Sequence, residues 1–182
     1  MKIYTKTGDT GETGLPGGGR VRKDATVTEL CGTVDELNTA LGLVRATQVP
    51  GDIDRLLDRI QNQLFDLGAE VARLGAKTNS GCRIGAADVR ALEEAIDHFD
   101  AELPPLKNFI LPGGTFAAAE IHFARAVCRR AERGLVGLMR ESPALSAEIL
   151  IYLNRLSDLL FVMARLVNAR AGQPETIWRH HE

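Results

Sequence analysis

Five charged residues lie in one otherwise apolar helical segment of this 182-residue sequence, residues 124–133, which reads ARAVCRRAER. On a helix that turns about 100° per residue, Arg125, Arg129 and Glu132 share a narrow arc of one face. The apolar residues gather on another side, as in a helix docked against neighbours. Guanidinium groups at such a border suit phosphate or carboxylate, because each presents a fixed fork of donors. The alternative is a solvent-exposed face on which Arg129 and Arg133 pair with Glu132.

The first 25 residues are the second candidate for anion binding. Glycine recurs there too often for a helix or a regular strand, so the segment is predicted to be a loop. Its glycines would let backbone N–H groups approach a phosphate, and its threonines would add hydroxyl donors. Lys6, Arg20, Arg22 and Lys23 would supply positive charge. The segment has neither the P-loop order nor the dinucleotide fingerprint, and a mobile tail is the alternative interpretation.

The composition favours one helical domain without a nucleic-acid or membrane partner. Hydrophobic residues make up 45% of the chain, aromatic residues only 5%, and the net charge is −2, so any anion binding must be local. No apolar run has the length of a signal peptide or a membrane span, which predicts a soluble, cytoplasmic protein. Three widely spaced cysteines without a C-x-x-C pair indicate reduced thiols.

Hydrophobic periodicity predicts five helices after the glycine-rich segment. The expected ranges are about 26–46, 52–74, 86–101, 115–140 and 146–170. Thr26 is the expected N-cap of the first helix, with Glu29 completing a capping box, and Asp52 is the expected cap of the second.

The predicted fold is therefore all-α, a five-helix bundle in a single domain, residues 1–182. Within it, residues 1–25 form a glycine-rich arm, residues 26–170 the bundle and residues 171–182 a tail, in which Trp178 is a candidate to fold back onto the bundle. The last helix carries polar and aromatic residues on an arc apart from its apolar stripe, which indicates a subunit or ligand contact. These residues are Asn154, Ser157, Asp158, Phe161 and Arg165.

Five strings of sequence, taken together, resemble one known family. They are YTKTGDTGET at 4–13 with RKD at 22–24, GTVDELN at 32–38, FILPGG at 109–114, ARAVCRRAER at 124–133 and YLNRLSDLLF at 152–161. In this order they resemble the PduO-type ATP:cob(I)alamin adenosyltransferases over nearly the whole chain. The resemblance implies a five-helix bundle that assembles as a homotrimer, with ATP held between adjacent subunits by the glycine-rich arm and the corrinoid docked nearby.

The resemblance also implies an activity, which is transfer of the 5′-deoxyadenosyl group of ATP to the cobalt of cob(I)alamin. The products would be adenosylcobalamin and triphosphate. Mg²⁺ would accompany ATP, and cob(II)alamin would be the form that is reduced to the nucleophile. A corrinoid reductase and an adenosylcobalamin-dependent enzyme stay open as further partners.

Residue roles follow from the resemblance by motif position. From the arm, the implied nucleotide contacts are Thr5, Lys6, Thr7, Gly8, Thr13 and Lys23. From the helical side they are Arg129, Arg130, Glu132, Arg133 and Asn154. Arg125 would pair with Asp35 of a neighbouring subunit. Phe109 would press on the lower face of the corrin and favour a four-coordinate cobalt that is easier to reduce. The implied catalytic set is thus Asp35, Phe109, Arg125 and Arg129, and no residue is assigned to a metal.

The residues themselves fit that chemistry, because attack of Co(I) on the C5′ carbon needs no general base. The sequence offers neither a His–Asp nor a Ser–His constellation, and His122 is expected to be packed or hydrogen-bonded rather than catalytic. Two alternatives stay open. One is a phosphotransferase that uses the same arm and yields ADP, and the other is a non-catalytic helical module that binds and delivers nucleotide or corrinoid.

Overall fold

Five helices account for most of the chain in the computed structural model, which describes residues 3–16, 18–73, 84–142 and 145–179. The helices are α1 (Thr26–Ala46), α2 (Gly51–Ala72), α3 (Ala86–Asp100), α4 (Phe116–Glu141) and α5 (Ala147–Arg170). The predicted helical bundle is confirmed, and the helix ends agree with the expected ranges to within one or two residues. The end of the second expected range, residue 74, lies outside the described residues.

The prediction of a loop throughout the first 25 residues is wrong at two short strands. Strand β1 (Glu12–Gly14) pairs antiparallel with β2 (Arg20–Arg22). The chain reverses between them through Gly18 and Gly19, whose φ angles are +91° and +85°. Glycine adopts such angles without steric cost, so these glycines form the turn of a hairpin instead of preventing strand pairing.

The two helices that carry the arginine and asparagine motifs lie in the middle of the bundle. The main packing order is α2, α1, α4, α5, α3. Helix α5 is the most deeply enclosed, and its leucines, such as Leu153, Leu156 and Leu160, are fully buried between α3 and α4. None of the described helices combines the length and the apolar character that crossing a bilayer requires.

Both caps predicted near the start of the bundle are wrong, and in each case a distant partner takes the side chain. The N-cap of α1 is Ala25, and the Thr26 hydroxyl donates to the carboxylate of Glu141 at the end of α4 (3.2 Å). Asp52 lies inside the first turn of α2 without capping it, and its carboxylate accepts from Arg170 of α5 (2.8 Å). Long-range contacts therefore replace the local capping that the sequence pattern suggested.

Helices α4 and α5, by contrast, begin with hydroxyl caps. The Thr115 hydroxyl accepts from the backbone N–H of Ala118, and the Ser146 hydroxyl accepts from that of Glu148, both at 3.2 Å. Such caps satisfy backbone donors that have no partner within the helix. Helices α4 and α5 thus begin with local caps, whereas the first residues of α1 and α2 make contacts with other helices.

The connection between α3 and α4 is held by a side chain of α5. The Asn168 amide donates from Nδ2 to the carbonyl of Gly113 and accepts at Oδ1 from the N–H of Thr115, both at 2.9 Å. Between them, Gly114 has a φ of +105°, and a Cβ atom there would overlap the Asn168 amide. Position 114 therefore requires glycine for its backbone angle and for the space that Asn168 occupies.

Replacing Gly114→Ala should lower the free energy of unfolding by about 2 kcal/mol, because alanine meets both a strained φ and a steric clash. Urea unfolding followed by circular dichroism measures this. The matched control is Gly137→Ala in α4, where a Cβ would meet no atom within 4 Å and alanine should stabilise the helix by about 0.5–1 kcal/mol. Equal stability of the two variants would show that the Asn168 contact does not constrain position 114.

Candidate active site

Helix α4 presents a face of exposed arginines. Arg129, Arg130 and Arg133 are all exposed, and Arg130 pairs with Glu36 of α1. Among the described residues, Arg129 and Arg133 form no ion pair and no side-chain hydrogen bond, so the alternative in which they pair with Glu132 is wrong. Two guanidinium groups thus remain available to an anion from solution.

Glu132 instead connects the two helices that carry the motifs. Its carboxylate accepts from Nδ2 of Asn154 on α5 at 3.1 Å, and both side chains are half-buried. The Ser157 hydroxyl, one turn further along α5, donates to the Asn154 carbonyl at 2.9 Å. The strings at 124–133 and 152–161 are therefore side by side, and three of the predicted nucleotide contacts, Arg129, Glu132 and Asn154, lie on or beside one face.

Arg125 lies at the inner edge of the arginine face. Its guanidinium carbon is 5.9 Å from the centroid of the Phe161 ring, a cation–π distance. Its Nε is buried and has no hydrogen-bond partner in the described part of the chain. Burial, with the nearby charge of Arg129, lowers the pKa of Arg125. A buried donor without a partner is costly, so this group is poised for an acceptor from outside the chain.

His122 packs beneath the same aromatic ring. Its imidazole is 6.1 Å from the Phe161 ring, centroid to centroid, and is almost completely buried. Burial, together with the charge of Arg125, lowers the pKa of His122 to about 4. Its burial confirms the expectation that the side chain is packed, and the lowered pKa keeps it neutral at pH 7.

Asp35 lies on α1, away from the arginine face of its own chain. It borders a cavity of about 310 Å³ between α1 and α2, whose lining includes Pro16 of the arm and the exposed ring of Phe65. Within the described residues, Asp35 makes no ion pair. The pair between Asp35 and Arg125 is thus not formed within one chain, and pairing between subunits stays a prediction.

The predicted arm residues lie close to one another. The hydroxyls of Thr5 and Thr7 are 2.9 Å apart, and a Cβ on Gly8 would lie 3.2 Å from Nζ of Lys23. Lys6 has a φ of +60°, an angle that costs energy for a side chain with a Cβ. Strain of this kind is characteristic of functional loops. Predicted contact Thr13 lies in β1, directly opposite Val21.

The arm and the arginine face remain separate in a single chain. In the ranges that the structure describes, no hydrogen bond or ion pair links arm residues 3–24 to α4. Most of the described arm residues are exposed, as are Arg129 and Arg133, while Gly8 and Thr13 are half-buried. One chain therefore supplies two surfaces with phosphate-binding chemistry that do not meet.

Phe109 is presented on the connection between α3 and α4, with 79% of its surface exposed. Its ring meets the edge of Trp178 at 6.3 Å between centroids, and its carbonyl accepts from the Trp178 N–H at 2.8 Å. The expectation that Trp178 folds back onto the bundle is confirmed. An aromatic ring this exposed on an ordered loop suits contact with a large flat ligand.

The interpretation of the last helix as a contact surface is wrong for two residues of the arc. Ser157 and Arg165 are buried, and Arg165 donates to Glu175 of the tail and to the carbonyl of Pro104. Sequence reasoning missed this arrangement and also the Asn168 clamp. The available signal was a charged residue in the most apolar stretch of a helix, followed ten residues later by a carboxylate in the tail.

Known proteins share both the sequence and the architecture of this chain. The profile of the cobalamin adenosyltransferase family matches residues 3–167. The chain belongs to this family. It is 47% identical over 176 residues to a corrinoid adenosyltransferase of Bacillus subtilis, covering 94% of this chain and 89% of that protein. It is 45% identical over 179 residues to a cobalamin adenosyltransferase of Cupriavidus metallidurans, covering 98% and 94% respectively.

A solved structure of the family has the same fold. It is a variant of the PduO-type ATP:corrinoid adenosyltransferase of Lactobacillus reuteri, complexed with cobalamin and ATP. The TM-score is 0.91 at 37% identity, with 98% of this chain and 100% of that chain covered. The resemblance inferred from the motifs is confirmed, and the chain is an enzyme of the adenosyltransferase class.

Acid should destabilise the protein partly through His122. Its folded pKa of about 4 lies below the value of about 6.5 for an unfolded chain, so the unfolded state binds the proton first as the pH falls. The contribution of neutral His122 to the free energy of unfolding is therefore fully present above pH 6.5 and is lost between about pH 6.5 and 4. The loss amounts to about 2 kcal/mol by pH 5. Urea unfolding at pH 7 and pH 5 should show this loss reduced in His122→Asn.

The matched control for that measurement is His98→Asn, which removes an exposed imidazole from α3. It should keep the acid dependence of the wild type. The expectation is contradicted if His122→Asn loses as much stability between pH 7 and pH 5 as the wild type does.

Proposed function

We propose that this enzyme transfers the 5′-deoxyadenosyl group of ATP to the cobalt of cob(I)alamin, forming adenosylcobalamin and releasing triphosphate. The observation that carries the proposal is the pair of exposed arginines, Arg129 and Arg133, which lack partners among the described residues beside the Glu132–Asn154 bridge. They form a preorganised cationic surface for a polyphosphate. The Lactobacillus reuteri relative, which shares this fold, is complexed with ATP and cobalamin.

The complete site is proposed to form between subunits of a homotrimer. Two observations support this. The buried Nε of Arg125 lacks an acceptor in the described chain, and the exposed carboxylate of Asp35 lacks a cation there. Pairing Arg125 with Asp35 of the adjacent subunit would satisfy both groups and would bring the arm of one chain to the arginine face of the next.

In the proposed reaction, the cobalt lone pair forms a bond to C5′ while the C5′–O bond breaks, and its electron pair leaves on the triphosphate. No proton moves, so no general base is required. His122 fits this scheme, because it is buried and neutral at pH 7. The task of the protein is to stabilise the leaving polyanion with Lys6, Lys23, Arg129 and Arg133, and to align two large reactants.

The residues also fit a magnesium ion that is bound mainly through the nucleotide. In the described chain, no three His, Cys, Asp or Glu side chains cluster as they do in a protein-built metal site. Magnesium typically keeps several waters and binds through substrate phosphates with one or two carboxylates. Glu132 is the carboxylate available on the arginine face. When bound, Mg²⁺ would neutralise charge on the triphosphate.

Phe109 is proposed to contact the corrin. Its ring is 79% exposed on a loop that is clamped by α5 and the tail. Pressed on the lower face of the corrin, it would exclude a lower axial ligand and favour four-coordinate cobalt, which is easier to reduce from cob(II)alamin.

Because the nucleophile is Co(I), a reductase must supply the electron. We place this reaction in the cytoplasm, where thiols such as those of Cys31 and Cys128 are kept reduced.

Incubation of the protein with MgATP and chemically reduced cobalamin should convert the visible spectrum to that of the alkylated cofactor. The inorganic product should be triphosphate, whereas a phosphotransferase would yield ADP. Arg129→Ala should lower turnover at least about 100-fold, because a donor to the leaving group is lost, while corrinoid binding is retained. The matched control is Arg140→Ala, an exposed arginine at the far end of α4, which should keep wild-type turnover. Absence of spectral conversion by the wild type would reject the proposal.

The proposed pair between subunits predicts charge-swap behaviour. Asp35→Arg and Arg125→Asp should each weaken the trimer and abolish most activity, since each leaves like charges facing at an interface, at a cost of about 3–5 kcal/mol. The double variant should recover the trimer, as measured by sedimentation velocity. Mixing the two inactive single variants should also restore some turnover, because some hybrid interfaces then pair opposite charges. No recovery in either experiment would contradict pairing between subunits.

A further inference from the structure

Two buried polar side chains of α5 hold the ends of the connection between α3 and α4. Arg165 is 3% exposed, and its Nη2 donates to the carbonyl of Pro104 at 2.9 Å. Asn168, three residues later and 4% exposed, holds Gly113 and Thr115 at the other end. The segment 104–115 is therefore attached to α5 at both of its ends.

The middle of this segment, which includes Phe109, is held by the C-terminal tail. The Leu111 N–H donates to the carbonyl of Thr176, and the Trp178 N–H donates to the carbonyl of Phe109, both at 2.8 Å. Between these bonds, Ile110 and Ile177 form an antiparallel bridge. Residues 176–178 thus act as a short strand that fixes the backbone at Phe109.

The tail is in turn held by Arg165. Its Nε donates to the Glu175 carboxylate at 2.6 Å, a charge-assisted hydrogen bond. The remaining nearby carboxylate, that of Asp100, is 3.7 Å away and exposed. Because the guanidinium is buried, Glu175 is its main neutralising partner. Removing the Glu175 charge therefore costs more than breaking a surface ion pair, since it leaves a buried cation without that partner.

The same arginine therefore contacts both the start of the segment and the tail that runs along its middle. The described bundle supplies few other contacts to the Phe109 ring, which is mostly exposed and meets the edge of Trp178. The position of the ring depends on the backbone at Phe109, which the tail holds in the middle of the segment while α5 holds its two ends. We propose that the Arg165–Glu175 pair is a positioning pair for Phe109, which holds the tail against residues 104–115 and so presents the ring to the corrin.

This inference rests on the proposed function for its consequence, because it assigns Phe109 the corrin contact. Neither Arg165 nor Glu175 is proposed to touch substrate. Their effect on turnover should pass through Phe109. An effect that depends on Phe109 distinguishes a positioning role from a general contribution to stability, which would lower turnover whether or not Phe109 is present.

The test variant is Glu175→Gln, which removes the charge at a partly exposed position and leaves the buried arginine its carbonyl partner. The matched control is Glu102→Gln. Glu102 pairs with Arg170, another arginine of α5, at 2.7 Å, and within the described residues neither side chain forms a hydrogen bond or ion pair with tail residues 171–179. Thermal unfolding of both variants verifies that they are folded.

Trp178 is the only tryptophan in the sequence, so intrinsic fluorescence reports directly on the tail. In Glu175→Gln the emission should shift to longer wavelength and acrylamide quenching should become more efficient, because the indole gains contact with water. Glu102→Gln should match the wild type. Identical fluorescence of wild type and Glu175→Gln would overturn the proposal.

Steady-state kinetics test the link to Phe109. Glu175→Gln should lower kcat/KM for the corrinoid about tenfold, since a misplaced contact group weakens catalysis, and should leave KM for ATP unchanged. In a Phe109→Ala background the same substitution should change kcat/KM less than about twofold, because both changes act through one group. An equal loss in both backgrounds, or a rise in KM for ATP, would overturn the positioning role.

Failure of the proposed function has a different signature. If wild-type protein with reduced cobalamin and MgATP gives no alkylated cofactor, the assigned reaction is wrong. The fluorescence comparison alone then tests whether the Arg165–Glu175 pair holds the tail. An emission shift in Glu175→Gln with none in Glu102→Gln supports this role, and no shift in Glu175→Gln overturns it. Arg165→Ala is a weaker test, because loss of the buried guanidinium is liable to unfold the chain.

Discussion

Each polar group buried on α5 must find its partner inside the protein, because water does not reach it and an unpaired group costs free energy. This constraint organises the structure. The Tyr152 hydroxyl donates to Gln63 of α2 at 2.9 Å, Arg165 binds Pro104 and Glu175, and Asn168 binds both sides of Gly114. The partners lie in three different segments, which are α2, the connection between α3 and α4, and the tail. Helix α5 therefore sets the positions of chain segments that its apolar contacts alone would leave free to slide.

Arginine serves two opposite purposes in neighbouring helices. On α5, Arg165 is buried and neutralised, so it is structural. On α4, Arg129 and Arg133 are exposed and, within the described chain, unpaired, so their donors stay available. The cost of desolvating a charge explains the difference, because water can solvate the guanidinium groups of Arg129 and Arg133 whereas that of Arg165 needs a partner inside the protein. The surface proposed to bind the triphosphate accordingly forms where the packing of α4 against its neighbours ends.

The surfaces of one chain are complementary but do not meet. Arg125 has a buried donor without an acceptor, Asp35 is an exposed carboxylate without a cation, and the arm makes no polar contact with α4 in the described residues. Adenosyl transfer brings together a nucleotide and a much larger corrinoid. The cleft that we propose between subunits suits such reactants, because it could enclose both while each chain keeps a fully packed core.

Much of this protein follows from its sequence alone. Apolar residues at the helical period of about 3.6, with breaks at Pro50-Gly51 and Pro104-Pro105, predict the five helices almost to the residue. These signals are local, since a helix forms contacts between residues three and four apart. The separated motifs likewise suffice to identify the family, which the matching profile confirms.

The tertiary structure decided what depends on distant partners. Thr26 and Asp52 have the residue types of caps, but Glu141 and Arg170, 115 and 118 residues away in the sequence, take their side chains instead. Arg165 has the residue type of a surface contact, yet packing buries it and pairs it with the tail. No local sequence pattern predicts these long-range contacts. A side chain bonds to whichever partner the assembled helices bring within reach, and that is settled only when the bundle has formed.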